Sequence, residues 1–224
     1  MAAHGPRTVA AILVAAGSGA RLGADVPKAF VLVGGRTLLQ HTARRFADHP
    51  AIDHFVVVAP ATHLDEAAAS TGAEVVAGGA TRQQSVLAGL AALGPDVELV
   101  LVHDVARPFV PDSVITAVVA ALGQGADGAV PVVPIHDTVR RIDADGAFVE
   151  VFDRSSLVAV QTPQGFVREV LVQAHAAGRD LDVTDDAALV EALGRTVKAV
   201  PGDDAAFKIT RPRDLAVAEV IAAS

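Results

Sequence analysis

Residues 9–28, VAAILVAAGSGARLGADVPK, constrain this chain more than any other stretch. Eight apolar residues, 9–16, run without interruption into Gly17-Ser18-Gly19. Such a run suits a strand buried on both faces, as in a parallel sheet. Small residues beyond its end let an anion approach successive backbone N–H groups. Arg21 and Lys28, the latter behind Pro27, can add full positive charge. Taken alone, the stretch leaves two readings open. One is a strand followed by a nucleotide-phosphate loop. The other is an ordinary strand-to-loop turn with surface cations. Two familiar loops do not fit. The third glycine, Gly23, comes one residue late for G-x-G-x-x-G, and no Gly-Lys-Ser/Thr triplet of the Walker loop occurs.

The rest of the chain repeats the strand pattern. Apolar runs at 52–59, 74–77, 97–102 and 128–133 alternate with amphipathic segments. Thr37-x-x-Gln40 and Thr81-x-x-Gln84 have capping-box spacing and predict helix starts. Leu38, Leu39, Thr42 and Phe46 line one face of the first helix; Val86, Leu87, Leu90 and Leu93 form the stripe of the second. Further helices are expected from Asp112 as cap, over 64–70, 168–177 and 185–193, and from Thr210 as cap with Pro212 in the first turn. Short strands are expected at 196–200 and 207–210. Alternating strands and helices predict an α/β fold, a doubly wound, mostly parallel sheet. Ligands of such sheets sit beyond the carboxyl ends of the strands. Residues 15–19, 78–82 and 103–107 all fall at such ends.

The alternation breaks at 138–152. Two extended pieces, 138–142 and 148–152, flank Asp143-Ala144-Asp145-Gly146, which predicts a β-hairpin. Residues 157–161 form a third extended piece. Segment 135–160 reads as an arm projecting from a single domain spanning 1–224, and its exposed apolar strands need cover from a partner chain.

Composition narrows the chemistry. Cysteine is absent, which excludes disulfides, thiolate catalysis and Cys-based zinc sites. The eight histidines show no H-E-x-x-H. A net charge of -8, with neither Trp nor Tyr, opposes a nucleic-acid binder. No apolar run reaches transmembrane length. Arg7 with 9–16 has the outline of a short signal segment, but cleavage near Ala16 would leave the glycine loop at a ragged terminus. The strand reading, and a cytoplasmic protein, follow. Asp104 closes the most apolar strand. Its carboxylate can hold Mg²⁺ together with phosphate and water, or simply pair with Arg107. His103 beside it is a general base or a packed histidine.

Eight stretches, in this order, carry a resemblance over almost the whole chain: AAGSGARLGADVPKAF, GGATRQQSVLAGL, HDVARPF, PIHDTVRRI, FDRSSL, QTPQGF, TDDAALVE and FKITRPRDLAVAE. The chain resembles the 2-C-methyl-D-erythritol 4-phosphate cytidylyltransferases of the non-mevalonate isoprenoid pathway. The resemblance implies a Rossmann-like nucleotidyltransferase fold, CMP transfer from CTP to 2-C-methyl-D-erythritol 4-phosphate, a divalent ion such as Mg²⁺, and a homodimer formed through the arm. By matching position it assigns Arg21 and Lys28 to the CTP phosphates and the transition state, and Asp104 to the metal. Ala15, Ala16, Gly17, Gly19, Gly79, Arg82 and Ser85 fall around CTP. Asp104, Arg107, Thr138, Arg154, Thr184 and Lys208 fall around the methylerythritol phosphate. Arg154 and Lys208 would orient its phosphate, with Thr138 and Arg154 supplied by the partner's arm. Two positions depart from the family pattern: Ala206 stands where Asn is frequent, and Ala80 where an acid is common. Two other functions remain as alternatives, a ribitol-5-phosphate cytidylyltransferase and a nucleotide-binding regulatory module without catalysis.

Overall fold

The structure, a computed structural model, describes residues 7–17, 22, 26–179, 181 and 183–223. Strand β1 (Val9–Val14) leads through the short strands β2 (Leu32–Val33) and β3 (Arg36–Thr37) into α1 (Leu38–Ala47). Then follow β4 (His54–Ala59), α2 (Leu64–Thr71), β5 (Glu74–Ala77), α3 (Arg82–Ala92), β6 (Leu99–Asp104), α4 (Asp112–Gly123) and β7 (Gly128–Pro134). The last third holds β8 (Arg140–Ile142), β9 (Phe148–Val151), β10 (Val158–Val160), β11 (Gln164–Val167), α5 (Arg168–Ala177), α6 (Asp186–Ala192), β12 (Val197–Pro201) and α7 (Pro212–Ala222).

The main sheet runs β5-β4-β1-β6-β11-β7-β12. The pairs β5–β4, β4–β1, β1–β6 and β7–β12 are parallel. Strand β11 is wedged antiparallel between β6 and β7. Ala129 of β7 therefore faces Gly165 of β11 on one edge and Lys198 of β12 on the other. β10 continues along the β11 edge of β7. Winding reverses at β1, whose first connection goes outward to β4 while β5 returns across it to β6. This is the doubly wound, mostly parallel α/β sheet that the alternation predicts.

Alternate side chains of the central strands feed two cores. Ala11, Leu13, Val57, Leu99 and Leu101 face Leu38, Leu39, Ile115 and Ala218, from α1, α4 and α7. Ala10, Ile12, Val56, Val100 and Val102 face Val86, Leu90, Leu171 and Leu189, from α3, α5 and α6. Both capping boxes form, at Thr37 with Gln40 and at Thr81 with Gln84.

Several local expectations fail. Asp112 is the first helical residue of α4, and Pro111 occupies the cap position. The α7 cap position belongs to Arg211, not Thr210; Asp214 accepts from the backbone N–H groups of both, each at 2.8 Å. Residues 207–210 form no strand and follow a 3₁₀ turn, Asp204–Ala206. Leu87 points outward at 37% exposure, since α3 needs only its inner face against the sheet.

The hairpin is present. β8 pairs antiparallel with β9 in a sheet of their own. Gly146 takes φ +84°, and Asp143 Oδ1 accepts from the N–H groups of Asp145 and Ala147 to close the turn. Phe148 is 70% exposed, and Ile142, Val149 and Val151 are exposed beside it. β10, though inside segment 135–160, pairs with β7 in the main sheet, so the part standing apart is the β8–β9 hairpin.

Candidate active site

The carboxyl ends of β1, β5 and β6 reach one edge of the sheet in register. Val14 pairs with both Val58 and Asp104, and Ala59 pairs with Ala77. The chain leaving β1 is pinned by Ala15 N–H donating to Val58 O at 2.8 Å. The loop leaving β5 comes close to it because Gly78 has no side chain. A Cβ there would collide with Cβ of Ala16 and sit 2.9 Å from Ser85 Oγ. Ser85 braces this loop: its hydroxyl donates to Thr81 O at 2.9 Å and accepts from Gly79 N–H at 3.2 Å. Gln84 Oε1 accepts from Ala80 and Thr81 N–H, which fixes the start of α3.

Between these loops lies a cavity of about 450 Å³. Among its lining residues are Ala15, Ala16, Gly17, Lys28, Gly79, Arg82, Ser85, Asp104 and Lys208. The site residues anticipated around a nucleotide thus converge, apart from Gly19 and Arg21, which lie outside the described residues. The size suits a small-molecule ligand, for which pockets of roughly 300–1,000 Å³ are usual.

Asp104 is the one carboxylate among the described lining residues. Its partner is not Arg107. Arg82 Nε lies 3.2 Å from Oδ1 and Lys208 Nζ 2.7 Å from Oδ2. Burial alone would raise the Asp104 carboxyl, but Arg82 and Lys208 outweigh it and hold the group well below the usual carboxylate range. Arg82 is in turn bound to Asp186, Nη1 to Oδ2 at 2.6 Å. Burial opposes its charge, yet the two carboxylates raise its pKa above the ordinary value.

Arg107 does not reach the cavity. Its guanidinium donates to Ala206 O at 2.7 Å and Val160 O at 3.2 Å, joining the segment before Lys208 to β10. Ala206 itself is fully buried and offers that carbonyl. Thr138 and Arg154 also stand apart from the cavity within one chain. Arg154 donates to His136 O and lines a second hollow of about 680 Å³ beside β12. Thr184 is exposed, one residue before the Asp185 side chain that caps α6.

His103 is packed and is no general base on this wall. It is fully buried, and burial pushes its pKa down to about 4. Nε2 donates to Arg107 O at 3.1 Å, so Nδ1 is the acceptor for Thr162 Oγ1 at 3.1 Å. Thr162 Oγ1 also accepts from Asp104 N–H, which steadies the end of β6.

Sequence reasoning missed Thr162, Gln164, His175 and Asp186. The first two lie in QTPQGF and the last in TDDAALVE, where the doubled acid was the available signal. No group of three or more His, Asp or Glu that could hold a metal ion stands among the described residues. One carboxylate is nevertheless compatible with Mg²⁺, which draws most of its ligands from water and phosphate. Asp104 fits that description, with both oxygens now taken by cations.

The family model for 2-C-methyl-D-erythritol 4-phosphate cytidylyltransferase matches residues 9–224. The chain belongs to that family. A cytidylyltransferase of that name from Frankia casuarinae is 49% identical over 217 residues, covering 96% of this chain and 81% of the relative. Its counterpart from Streptomyces coelicolor is 45% identical, covering 99% and 87%. The crystal structure of the cytidylyltransferase from Thermus thermophilus superposes with a TM-score of 0.81 at 43% identity, over 96% of this chain and 98% of that one. The 4-diphosphocytidyl-2C-methyl-D-erythritol synthase of Anaerococcus prevotii gives 0.85 at 29% identity, over 98% and 100%. The cytidylyltransferase resemblance drawn from the eight stretches, and the fold it implies, are both sustained. The chain is a nucleotidyltransferase. No helix among the described residues is long and apolar enough to cross a membrane.

Proposed function

We propose that this cytidylyltransferase joins CTP and 2-C-methyl-D-erythritol 4-phosphate, forming 4-diphosphocytidyl-2-C-methyl-D-erythritol and pyrophosphate for isoprenoid precursor synthesis. The observation that carries the reading is the convergence of Lys28, Arg82 and Lys208 on the lining of the 450 Å³ cavity. Three cations at one site, on a protein of net charge -8, suit a polyphosphate.

The chemistry needs little from a base. A phosphate monoester has a second pKa of about 6 and is mostly dianionic at neutral pH. Its oxygen attacks the α-phosphorus of CTP as pyrophosphate leaves. The barrier lies in bringing two polyanions together, so catalysis is positioning and charge neutralisation. Ala15, Ala16, Gly17, Gly79 and Ser85 surround the nucleoside with main-chain groups. Lys28 takes the phosphates, with Arg21 and Gly19, which lie outside the described residues, expected to share that role. Asp104 would hold Mg²⁺, which supplies further charge neutralisation when bound. Lys208 then exchanges Asp104 for the acceptor's phosphate.

The acceptor side draws on a second copy. The exposed Ile142, Phe148, Val149 and Val151 of the hairpin need cover, and a homodimer supplies it. Thr138 and Arg154 then enter the site from the partner's arm, with Arg107 and Thr184 near the methylerythritol phosphate. We assign the reaction to the cytoplasm, where CTP is available.

Pyrophosphate release tests the reading. Turnover is expected only with CTP and 2-C-methyl-D-erythritol 4-phosphate together, and only with a divalent ion. Faster turnover with D-ribitol 5-phosphate would reassign the acceptor. Tight CTP binding with no acceptor at all would make the chain a regulatory module.

A further inference from the structure

We infer that Asp186, backed by His175, is a positioning residue for the transfer reaction, holding the Arg82 guanidinium on the cavity wall when a bound triphosphate displaces Asp104 from it. The inference rests on the reading of this cavity as the CTP site.

Arg82 opens α3 and meets two carboxylates of different character. Asp104 is on the cavity wall, its side chain 13% exposed and 3.2 Å away; Asp186 is inside, 1% exposed and 2.6 Å away. Asp186 has its other oxygen 2.9 Å from Nε2 of His175, which is fully buried. An ionised carboxylate can only accept, so Nε2 carries the hydrogen. Burial would raise the Asp186 carboxyl, but the His175 hydrogen bond and the Arg82 charge bring it below its ordinary value. Lys208, Asp104, Arg82, Asp186 and His175 thus form one chain of alternating partners from the cavity into the space under α5 and α6.

The inner end of this chain is anchored. Gln164 of β11 donates to Asp185 Oδ2 at 2.8 Å and accepts from Ala187 N–H at 3.3 Å, fixing the start of α6 on both sides of Asp186. Gln83, next to Arg82, donates to Gly178 O at 2.9 Å beyond the end of α5. The outer end is exchangeable. A phosphate competes with Asp104 for Arg82 and Lys208, which now hold its two oxygens. Asp186 is out of reach of such a competitor. It keeps one arm of the guanidinium fixed while the other turns from carboxylate to phosphate. Without it, a long side chain regains its rotamers and pairs with Asp104 alone, which neutralises both the cation and the carboxylate that the site uses. A buried ion pair is a weak source of stability compared with apolar packing; a directional role accounts better for this one.

The test is a double-mutant cycle on pyrophosphate release with CTP varied, the wild type run alongside. Asp186→Asn should lower kcat/KM for CTP by about tenfold to a hundredfold through misplacement of one cation, while KM for the methylerythritol phosphate changes less than about twofold. In an Arg82→Ala background the same change should cost no more than about a further twofold, because it acts through Arg82. Additive losses would overturn the inference. His175→Gln keeps an N–H donor for Asp186 and should retain most activity, whereas His175→Leu should reproduce the Asp186→Asn loss. Equal losses in the two would also overturn it. If Asp186→Asn does not fold, as read by thermal melting, the His175 pair decides alone. A wild type without CTP-dependent turnover would instead sink the reading of the site. CTP binding by calorimetry then decides the inference, and unchanged affinity in Asp186→Asn overturns it.

Discussion

Lys208 Nζ lies 2.7 Å from Asp104 Oδ2, across 104 positions of sequence. The two are brought together by main-chain ties: Ile209 N–H donates to Ala106 O at 2.9 Å, and the Arg107 guanidinium donates to Ala206 O. The lysine therefore arrives at the carboxyl end of β6 on a backbone already fastened there. Asp104 thereby serves as counter-ion to both Lys208 and Arg82.

Asp104→Asn keeps the shape and removes the charge. Activity should fall by about a hundredfold or more, the scale seen when a charge-stabilising group is lost from a transition state. Melting should move only a few degrees, since Arg82 keeps Asp186 and the Lys208 side chain is 43% exposed. Unchanged turnover with a clearly lowered melting temperature would reject the metal role.

Stability should fall on acidification in two stages. His103, neutral when folded down to about pH 4, takes up a proton near 6.5 once unfolded. Its contribution is complete above pH 6.5 and is lost as pH falls toward 4, at no more than about 1.4 kcal/mol per pH unit. Asp104 and Asp186, held below 3.8, contribute stability that persists to about pH 4 and is lost below it. Urea unfolding of the wild type and His103→Gln at several pH values checks this. The variant should be flatter between pH 6.5 and 4, and equal slopes would contradict the assignment.

If each site takes Lys208 from one subunit and Arg154 from the other, Arg154→Ala and Lys208→Ala homodimers should both be nearly inactive. A mixed dimer has one site with both residues intact. Random exchange at equal amounts makes about half the dimers mixed, so roughly a quarter of wild-type activity should return. A mixture as inactive as its components, after exchange has been demonstrated, means the site is not shared.

Gly78→Ala places a methyl group against Ala16 and Ser85. Overpacking of this kind costs about 1–3 kcal/mol. The loops at the ends of β1 and β5 should separate, so KM for CTP should rise along with the loss of stability. A variant with wild-type melting and wild-type KM would show that the loops need no such close approach.

Much of this was legible in the chain, for local reasons. Glycine pairs and charged residues directly after apolar runs marked the carboxyl edge of the sheet, and Thr81-x-x-Gln84 marked the helix that carries Arg82. What failed was non-local. Arg107, three residues from Asp104, is one of two readings for that carboxylate, but the ion pair is made by Arg82 from the start of α3. QTPQGF, with Pro, Gly and two Gln, has no strand signature; Gln164–Val167 is a strand because β6 and β7 leave room for it. Nothing local in the sequence marks Asp186 as buried; it is enclosed because α3 and α5 bring Arg82 and His175 against it.

That wedged strand bears on how the protein is made. β6 ends at Asp104 and its neighbour β11 begins at Gln164, so about 60 residues must still leave the ribosome before that edge of β6 is paired. At roughly 5–20 residues per second the delay is about 3–12 seconds. During it, one edge of β6 presents an open row of amide and carbonyl groups, and β7 has no seat beside it. The sheet therefore closes only when the last third of the chain arrives.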